Sequence, residues 1–345
     1  MGPDKLPPPV QLLQMITGRW VAQTIGVVAE LGFADDIQAG PKTAAEIASA
    51  KNLHAPSVHR MLRACASLGI FAEEGGRFSQ TPLSDSLRSD VPYSMRGMAR
   101  MVNLKCGVEA WNALEHGVRT GESAFEHVHG MQGFPYMDQH PRDREIFANA
   151  MSSFTAQIGA AVAQTYDFSS VKMLADIGGS HGMVLALVLA KYPQLRGMLF
   201  DRPGVVAGAK SLLEAHGVAA RVECVGGDFF ANVPSGADAY LMKHILHDWN
   251  DADSVRILKA IHTAAAPGSK LLLVEAILEE GNTPQFAKIL DIEMLVMTPG
   301  GHERTLPEWK GLLEASGYRF TRVVPTPSPI ADARRGTRCS TPASA

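Results

Sequence analysis

Apolar positions in the first third of the chain recur at helical spacing. Leu12, Leu13, Ile16, Trp20, Ile25, Val28 and Leu31 follow a triple proline and predict a helix or helix pair over residues 10–36. From 43 to 82 the order is TAAEIASAKNL, a short turn, SVHRMLRACASLGI, and then FAEE and RFSQT joined by Gly75-Gly76. Helix, turn, helix and hairpin is the outline of a winged helix. Residues 95–165 read as mostly helical, broken around 121–141 by a loop rich in Gly, His and Pro.

After residue 170 the pattern changes to short apolar runs alternating with helix-length segments. KMLADI, GMLFD, RVECVGG, DAYLMK and KLLLVEA read as five strands of a parallel, doubly wound α/β sheet, Rossmann-like in class. Beyond Ile330 the segment is small, polar and aperiodic, which predicts disorder. The expected organisation is a helical, winged-helix domain at 1–105, a helical linker and pocket roof at 106–165, the α/β domain at 166–332 and a disordered tail at 333–345.

Composition narrows the function. A chain of 345 residues with 46% hydrophobic content fills two cores. A formal net charge of -3 gives no general attraction for nucleic acid or anionic membrane, so small-molecule chemistry is expected. Prolines interrupt the N-terminus where a signal peptide needs an apolar core, and no run of eighteen apolar residues lacks a charge; both predict a soluble, cytoplasmic protein. Cys65, Cys106, Cys224 and Cys339 form no CxxC pair and are expected as free thiols. No metal-ligand spacing is present, so no metal is expected.

Candidate chemistry collects where the predicted strands end. The first strand runs through Asp176 into Gly178, Gly179, Ser180, His181 and Gly182 before an apolar helix, and small residues there let a ligand approach the backbone. A dinucleotide fingerprint would place Gly where Ser180 and Met183 stand, which disfavours NAD. Asp201, ending the second strand, is positioned to accept ribose hydroxyls. Asp228, after the third, is positioned to accept from an adenine amino group while Phe229 packs on the ring. Either Asp would also suit a simple helix cap.

The fourth strand leads into Lys243, His244, His247, Asp248 and Trp249. An imidazole takes a proton near neutral pH, and a neighbouring carboxylate fixes its tautomer, so His247 beside Asp248 is the candidate general base. Glu275, ending the fifth strand, and Glu303, in the loop MTPGGHERT, are the candidates to buttress it.

In chain order, LADIGGSHG, FDRPGVV, GGDFF, MKHILHDWND, VEAIL and DIEMLVMTPGGHERT resemble the plant-type small-molecule O-methyltransferases, which include caffeic acid, hydroxyindole and bacterial polyketide O-methyltransferases. The resemblance covers about nine-tenths of the chain and implies a class I methyltransferase domain behind a dimerisation domain. It implies that S-adenosylmethionine, leaving as S-adenosylhomocysteine, is held by Asp176, Gly178, Gly179, Ser180, Asp201, Asp228, Phe229 and Lys243. His247 would be the base, flanked by Glu275 and Glu303, with Asp248 helping to place the substrate. Phe147, Met151, Phe154, His244, Met294, Met297 and Thr298 match acceptor-lining positions. Ser180 departs from a third glycine found in many members, and His244 from a tryptophan common in plant members.

The expected reaction is therefore methyl transfer to a hydroxyl, phenolic in character, of a small aromatic or polyketide-like metabolite of secondary metabolism. Some enzymes resembling this family catalyse hydroxylation, decarboxylation or a pericyclic step instead, an alternative that the presence of His247 with both glutamates disfavours. A DNA-binding role for the winged helix is disfavoured too, because residues 43–90 hold five Lys or Arg against five Asp or Glu. The apolar N-terminal helices are expected to form a homodimer, each arm helping to close the partner's pocket.

Overall fold

The computed structural model describes residues 6–92, 94–326 and, as backbone, 336–342. It divides into two compact units, residues 1–108 with 137–154, and residues 109–136 with 155–345. The segment expected as a single linker, 106–165, is thus shared between both units rather than standing apart.

In the first unit the opening helix runs from Pro8 to Leu31, with Pro at its first turn, where the missing N–H costs nothing. Gly32 ends it at φ +70, a left-handed cap that a Cβ would disfavour, and a second helix, Phe33–Ile37, follows. The predicted helix pair is present, broken at this glycine. Its apolar pattern divides between two environments: Val28 and Ala29 are buried, whereas Leu12, Leu13, Met15, Ile16 and Trp20 are exposed.

Thr43 forms a capping box with Glu46 at the start of helix Ala44–Lys51, which packs on helix Ala55–Ser67. Strands β1 (Lys42–Thr43), β2 (Phe71–Glu74) and β3 (Arg77–Gln80) make an antiparallel sheet in the order β1-β3-β2. This is the expected winged helix. Its core gathers Phe33, Ile47, Leu62, Phe71 and Phe78.

The long helix Pro141–Thr165 passes from the first unit into the second, and by length and composition alone it is apolar enough to cross a membrane. Half of its most apolar window is buried within the protein. Ile146, Ala150, Phe154, Ile158 and Val162 form a buried row spaced by four, joined by buried Ala156, Ala161 and Ala163, so core packing accounts for the composition.

The second unit is built on a seven-stranded sheet. The five predicted strands are β4 (Met173–Ile177), β5 (Arg196–Asp201), β6 (Val222–Gly226), β7 (Ala239–Lys243) and β8 (Lys270–Glu275), all mutually parallel. Two further strands, β9 (Tyr318–Pro325) and β10 (Gly336–Pro342), complete the order β6-β5-β4-β7-β8-β10-β9. Helices Met183–Lys191, Asp251–Ala264 and Leu306–Ala315 follow β4, β7 and the loop containing Glu303, and Tyr240, Leu271, Leu273, Ile257, Leu258 and Trp309 fill one face.

The tail departs from expectation. Within the predicted disordered segment 333–345, Gly336–Pro342 pairs antiparallel with β8 on one side and β9 on the other. Backbone pairing to two neighbours supplies what aperiodic side chains do not announce, because a strand inserted into a ladder satisfies its N–H and C=O groups regardless of hydrophobic alternation. Residues 333–335 and 343–345 lie outside the described residues. Cys65, Cys106 and Cys224 are thiols outside any disulfide among the described residues; the side chain of Cys339 lies outside the described residues.

Candidate active site

The carboxyl ends of β4 to β8, with the turns that follow them, carry Asp176, Gly178, Gly179, Ser180, Asp201, Asp228, Phe229, Lys243, His244, His247, Asp248 and Glu275 on one edge of the sheet. After β4 the chain turns sharply. Gly178 and Gly182 have φ of +71 and +82, and Ser180 adopts +54 despite carrying a side chain. The third-glycine position therefore keeps its left-handed geometry with serine in it, at a cost of roughly 1–2 kcal/mol. Backbone N–H groups of Gly178 and Gly179 donate to the Phe200 carbonyl at 2.8 and 3.3 Å. A Cβ on Gly179 would lie 2.6 Å from Asp176 Cγ and 2.6 Å from Leu199 Cδ1, so glycine is required there by packing.

Asp201 holds this loop. Its Oδ2 accepts from the Ser180 N–H at 2.8 Å and its Oδ1 from the Arg202 N–H at 2.7 Å. One lone pair on each oxygen is thereby used, and the second remains for a ligand hydroxyl. Asp228 is exposed and caps its own turn, with Oδ1 accepting from the Phe230 N–H at 2.8 Å. Capping and ligand binding are compatible for both carboxylates. Phe229 is partly buried and meets Phe230 and Trp249 edge-on, with centroids 5.1 and 6.0 Å away.

Asp176 is the unusual member of the loop. It is only 2% exposed, and burial pushes its carboxyl up to about 7, with Lys243 pulling down and Asp201 adding to the rise. Its Oδ2 is buried without a hydrogen-bond partner among the described residues. A buried orphan acceptor beside glycines that admit close approach suits a ligand bearing N–H or O–H donors, and the nucleoside and amino-acid parts of S-adenosylmethionine carry both.

His247 lies one strand along, in a short turn after β7, and is 7% exposed. The turn begins at His244, whose φ of +51 is left-handed for a non-glycine residue and whose N–H donates to the Val274 carbonyl at 3.1 Å. His247 Nδ1 is 2.8 Å from Glu303 Oε1, and its Nε2 is 3.5 Å from Asp248 Oδ1. Glu275 Oε1 accepts from the N–H groups of Ile245 and Leu246, both at 3.0 Å, fixing the turn from below. Desolvation opposes the imidazolium, but Asp248, Glu303 and Glu275 together outweigh it and raise His247 to about 9. Burial also raises Asp248 and Glu275, because the cluster holds more carboxyls than it can keep ionised.

Two supports were present in the sequence but not singled out there. Arg304, fully buried, donates from Nη1 to the Leu246 carbonyl at 2.9 Å, from Nη2 to the Trp249 carbonyl at 2.8 Å and from Nε to Asp251 Oδ1 at 2.9 Å. It ties the Glu303 loop to the His247 turn. Asp291 Oδ1 accepts from the Glu303 N–H at 2.7 Å and so sets where that carboxylate sits. The available signal was adjacency: Arg304 follows Glu303 directly, and a charged residue inside an otherwise small-residue loop needs a partner.

The acceptor-lining candidates fall in two groups. Met294 is buried, and Met297 and Thr298 partly buried, at the end of helix Phe286–Met297; Thr298 Oγ1 donates to the Met294 carbonyl and accepts from the Gly301 N–H. His244 joins this group, its ring 5.0 Å from that of His247. Phe147, Met151 and Phe154 share one face of helix Pro141–Thr165 in the first unit, with Phe154 buried and the other two partly so.

A doubly wound sheet with a glycine-lined first turn, carboxylates at the next two strand ends and a buried His–carboxylate centre at the fourth defines a class I methyltransferase domain. The chain belongs to the O-methyltransferase family, matching its O-methyltransferase domain over residues 111–319 and its dimerisation domain over 13–90. A phenazine O-methyltransferase of Lysobacter antibioticus is 44% identical over 92% of this chain and 93% of its own. Among solved structures, the crystal structure of LaPhzM superposes with a TM-score of 0.92 at 42% identity, covering 98% of this chain and 100% of that one. An O-methyltransferase from neocarzinostatin biosynthesis, solved with S-adenosylmethionine and 2-hydroxy-5-methyl naphthoic acid, gives 0.77 at 29% identity, covering 93% and 96%.

Proposed function

We propose that this O-methyltransferase transfers the methyl group of S-adenosylmethionine to a phenolic hydroxyl of a small aromatic metabolite, with His247 as general base. The supporting observation is the buried 2.8 Å contact between His247 Nδ1 and Glu303 Oε1. A carboxylate at Nδ1 keeps the proton on that nitrogen, leaving Nε2 as the basic site.

When bound, S-adenosylmethionine supplies a methyl carbon already activated by its sulfonium. Asp176, Gly178, Gly179, Ser180, Asp201, Asp228, Phe229 and Lys243 are the residues assigned to hold it. Asp176 offers its orphan oxygen, Asp201 its remaining lone pairs, and Phe229 an apolar ring. What remains for the protein is to orient the acceptor oxygen and remove its proton.

His247 takes that proton at Nε2 as the oxygen attacks. An ordinary phenol near ~10 against an ordinary histidine near ~6.5 leaves the transfer uphill by about 5 kcal/mol. Raising the imidazole to about 9 narrows that gap to roughly 1–2 kcal/mol. Glu303 receives the Nδ1 hydrogen bond that strengthens as the ring charges, Glu275 holds the turn, and Asp248 faces the side on which the acceptor hydroxyl is placed. His244, Met294, Met297 and Thr298 are assigned to the acceptor. Their apolar, partly aromatic character suits a flat ring.

Replacing His247 by Ala tests the assignment. S-adenosylhomocysteine affinity by calorimetry should stay within about twofold while turnover on a phenol falls by about 10²–10⁴. Unchanged turnover in that variant overturns the base.

A further inference from the structure

Helix Phe286–Met297 is fastened beside His247 at two points. Asp291 accepts from the Glu303 N–H, and Thr298, just past the helix end, accepts from the Gly301 N–H. Gly301 sits so close that a Cβ there would run into both Thr298 and the His247 carbonyl oxygen. The helix is therefore held in register with the base, and its remaining faces are fixed with it.

One position on this helix does not fit an apolar pocket. Glu293 precedes Met294 and lies one turn before Met297, so Glu293 and Met297 stack along one face while Met294 lies about 100° round from Glu293. Leu295, about 200° round from Glu293, lies where a Cβ on Gly117 would meet it, and Ser123 Oγ donates to the Val296 carbonyl at 3.1 Å, so segment 117–123 also holds this helix. Glu293 is partly buried, and its Oε2 accepts from the indole N–H of Trp111. Oε1 makes no hydrogen bond among the described residues. Burial raises the carboxyl, and the Trp111 contact offsets this only in part. No arginine or lysine pairs with it among the described residues.

Resting on the acceptor reading above, we propose that Glu293, held by Trp111, is a specificity-determining residue that selects aromatic acceptors carrying a basic nitrogen. A carboxyl and a basic nitrogen share one proton, as O–H···N or as O⁻···H–N⁺, so a partly buried carboxyl gains a partner from such a ligand and none from a hydrocarbon ring of the same shape. Trp111 supplies the single donor that orients Oε2 and leaves Oε1 for the ligand. Met294 and Met297 adapt to the ring, and Glu293 reads the atom at its edge.

The probes are isosteric pairs of hydroxyquinolines and naphthols with the hydroxyl at matching positions. Their affinities are measured by calorimetry on enzyme loaded with S-adenosylhomocysteine, and methylation is followed separately by mass. Wild type should bind at least one hydroxyquinoline about tenfold or more tightly than its naphthol partner. In Glu293→Leu that ratio should fall to within about twofold of unity, and Glu293→Gln, which keeps the shape and hydrogen bonding but not the shared proton, should fall between. S-adenosylhomocysteine affinity in each variant reports that the fold is intact. An equal wild-type affinity for both series, or a preference that survives in Glu293→Leu, overturns the proposal. A preference that collapses in Glu293→Leu without any methylated product upholds Glu293 and counts instead against the phenol-methylation reading.

Discussion

At the scale of single residues, the raised basicity of His247 sets a pH dependence. With the imidazole near 9, only about one molecule in a hundred carries a neutral ring at pH 7, so kcat/KM should climb with unit slope through the neutral range and level near pH 9. Glu303→Gln removes a charge that raises the ring and keeps a hydrogen-bonding group at Nδ1. The acidic limb should move down by about one pH unit or more, while the plateau falls about tenfold because the imidazolium loses support. A pH–rate profile of the two enzymes checks both changes, and a limb that stays in place contradicts the coupling. Stability follows the same sign. His247 is raised above its unfolded value, so its contribution is fully present below about 6.5 and is lost as pH rises through about 9. Asp248 and Glu275 are also raised, so their contributions too are strongest at low pH and fade as pH rises.

At the scale of elements, Arg304 joins the Glu303 loop to the turn after β7, and its removal is predicted to be costly. Arg304→Met keeps the stem but removes the shortest donor from the Leu246 and Trp249 carbonyls, leaving them the longer bonds from Ser254 and the Trp249 N–H, and takes the guanidinium from Asp251. Asp251 is largely exposed and is left to water, so the loss comes from the weakened buried carbonyls, and about 1–3 kcal/mol in urea unfolding is expected. What the sequence disclosed about these elements follows from which signals are local. The five parallel strands are short apolar runs bounded by turns, and the glycine loop and histidine segment stand at their ends, so topology alone gathers Asp176, Asp201, Lys243 and His247. Glu303 was readable as a candidate, but its bond to Nδ1 depends on a loop held by Arg304 and Asp291, which no spacing reveals. Strand β10 was missed for a related reason: its pairing is made by backbone between β8 and β9, while its side chains follow no alternation. Glu293 is one charge within a helical run in the sequence, and its contact with Trp111 is what the structure adds.

At the scale of the whole molecule, the opening helix carries an apolar face that the monomer leaves uncovered. Met15, Trp20 and Ile16 are 74%, 70% and 65% exposed, and Leu12 and Leu13 exceed half. Leu12, Ile16 and Trp20 are spaced by four and so form one stripe, and Ile16 and Trp20 fall within the segment that matches the family's dimerisation domain from residue 13. A second copy of the chain is the occupant this stripe fits. Ile16→Asp with Trp20→Asp should weaken self-association by roughly 3–6 kcal/mol, from two lost apolar burials and before any cost of burying the new charges. Sedimentation at micromolar concentration should then show the mass falling from twice 37.0 kDa to one. Every residue assigned to the cofactor lies in the second unit, so S-adenosylhomocysteine affinity should be unchanged in that monomer. Turnover separates two roles for the dimer. If association only stabilises the first unit, the folded monomer keeps its kcat. If the partner's arm helps close the acceptor pocket, KM for the phenol rises and kcat falls together, because water then reaches the His247 turn and screens the carboxylates that keep the ring basic.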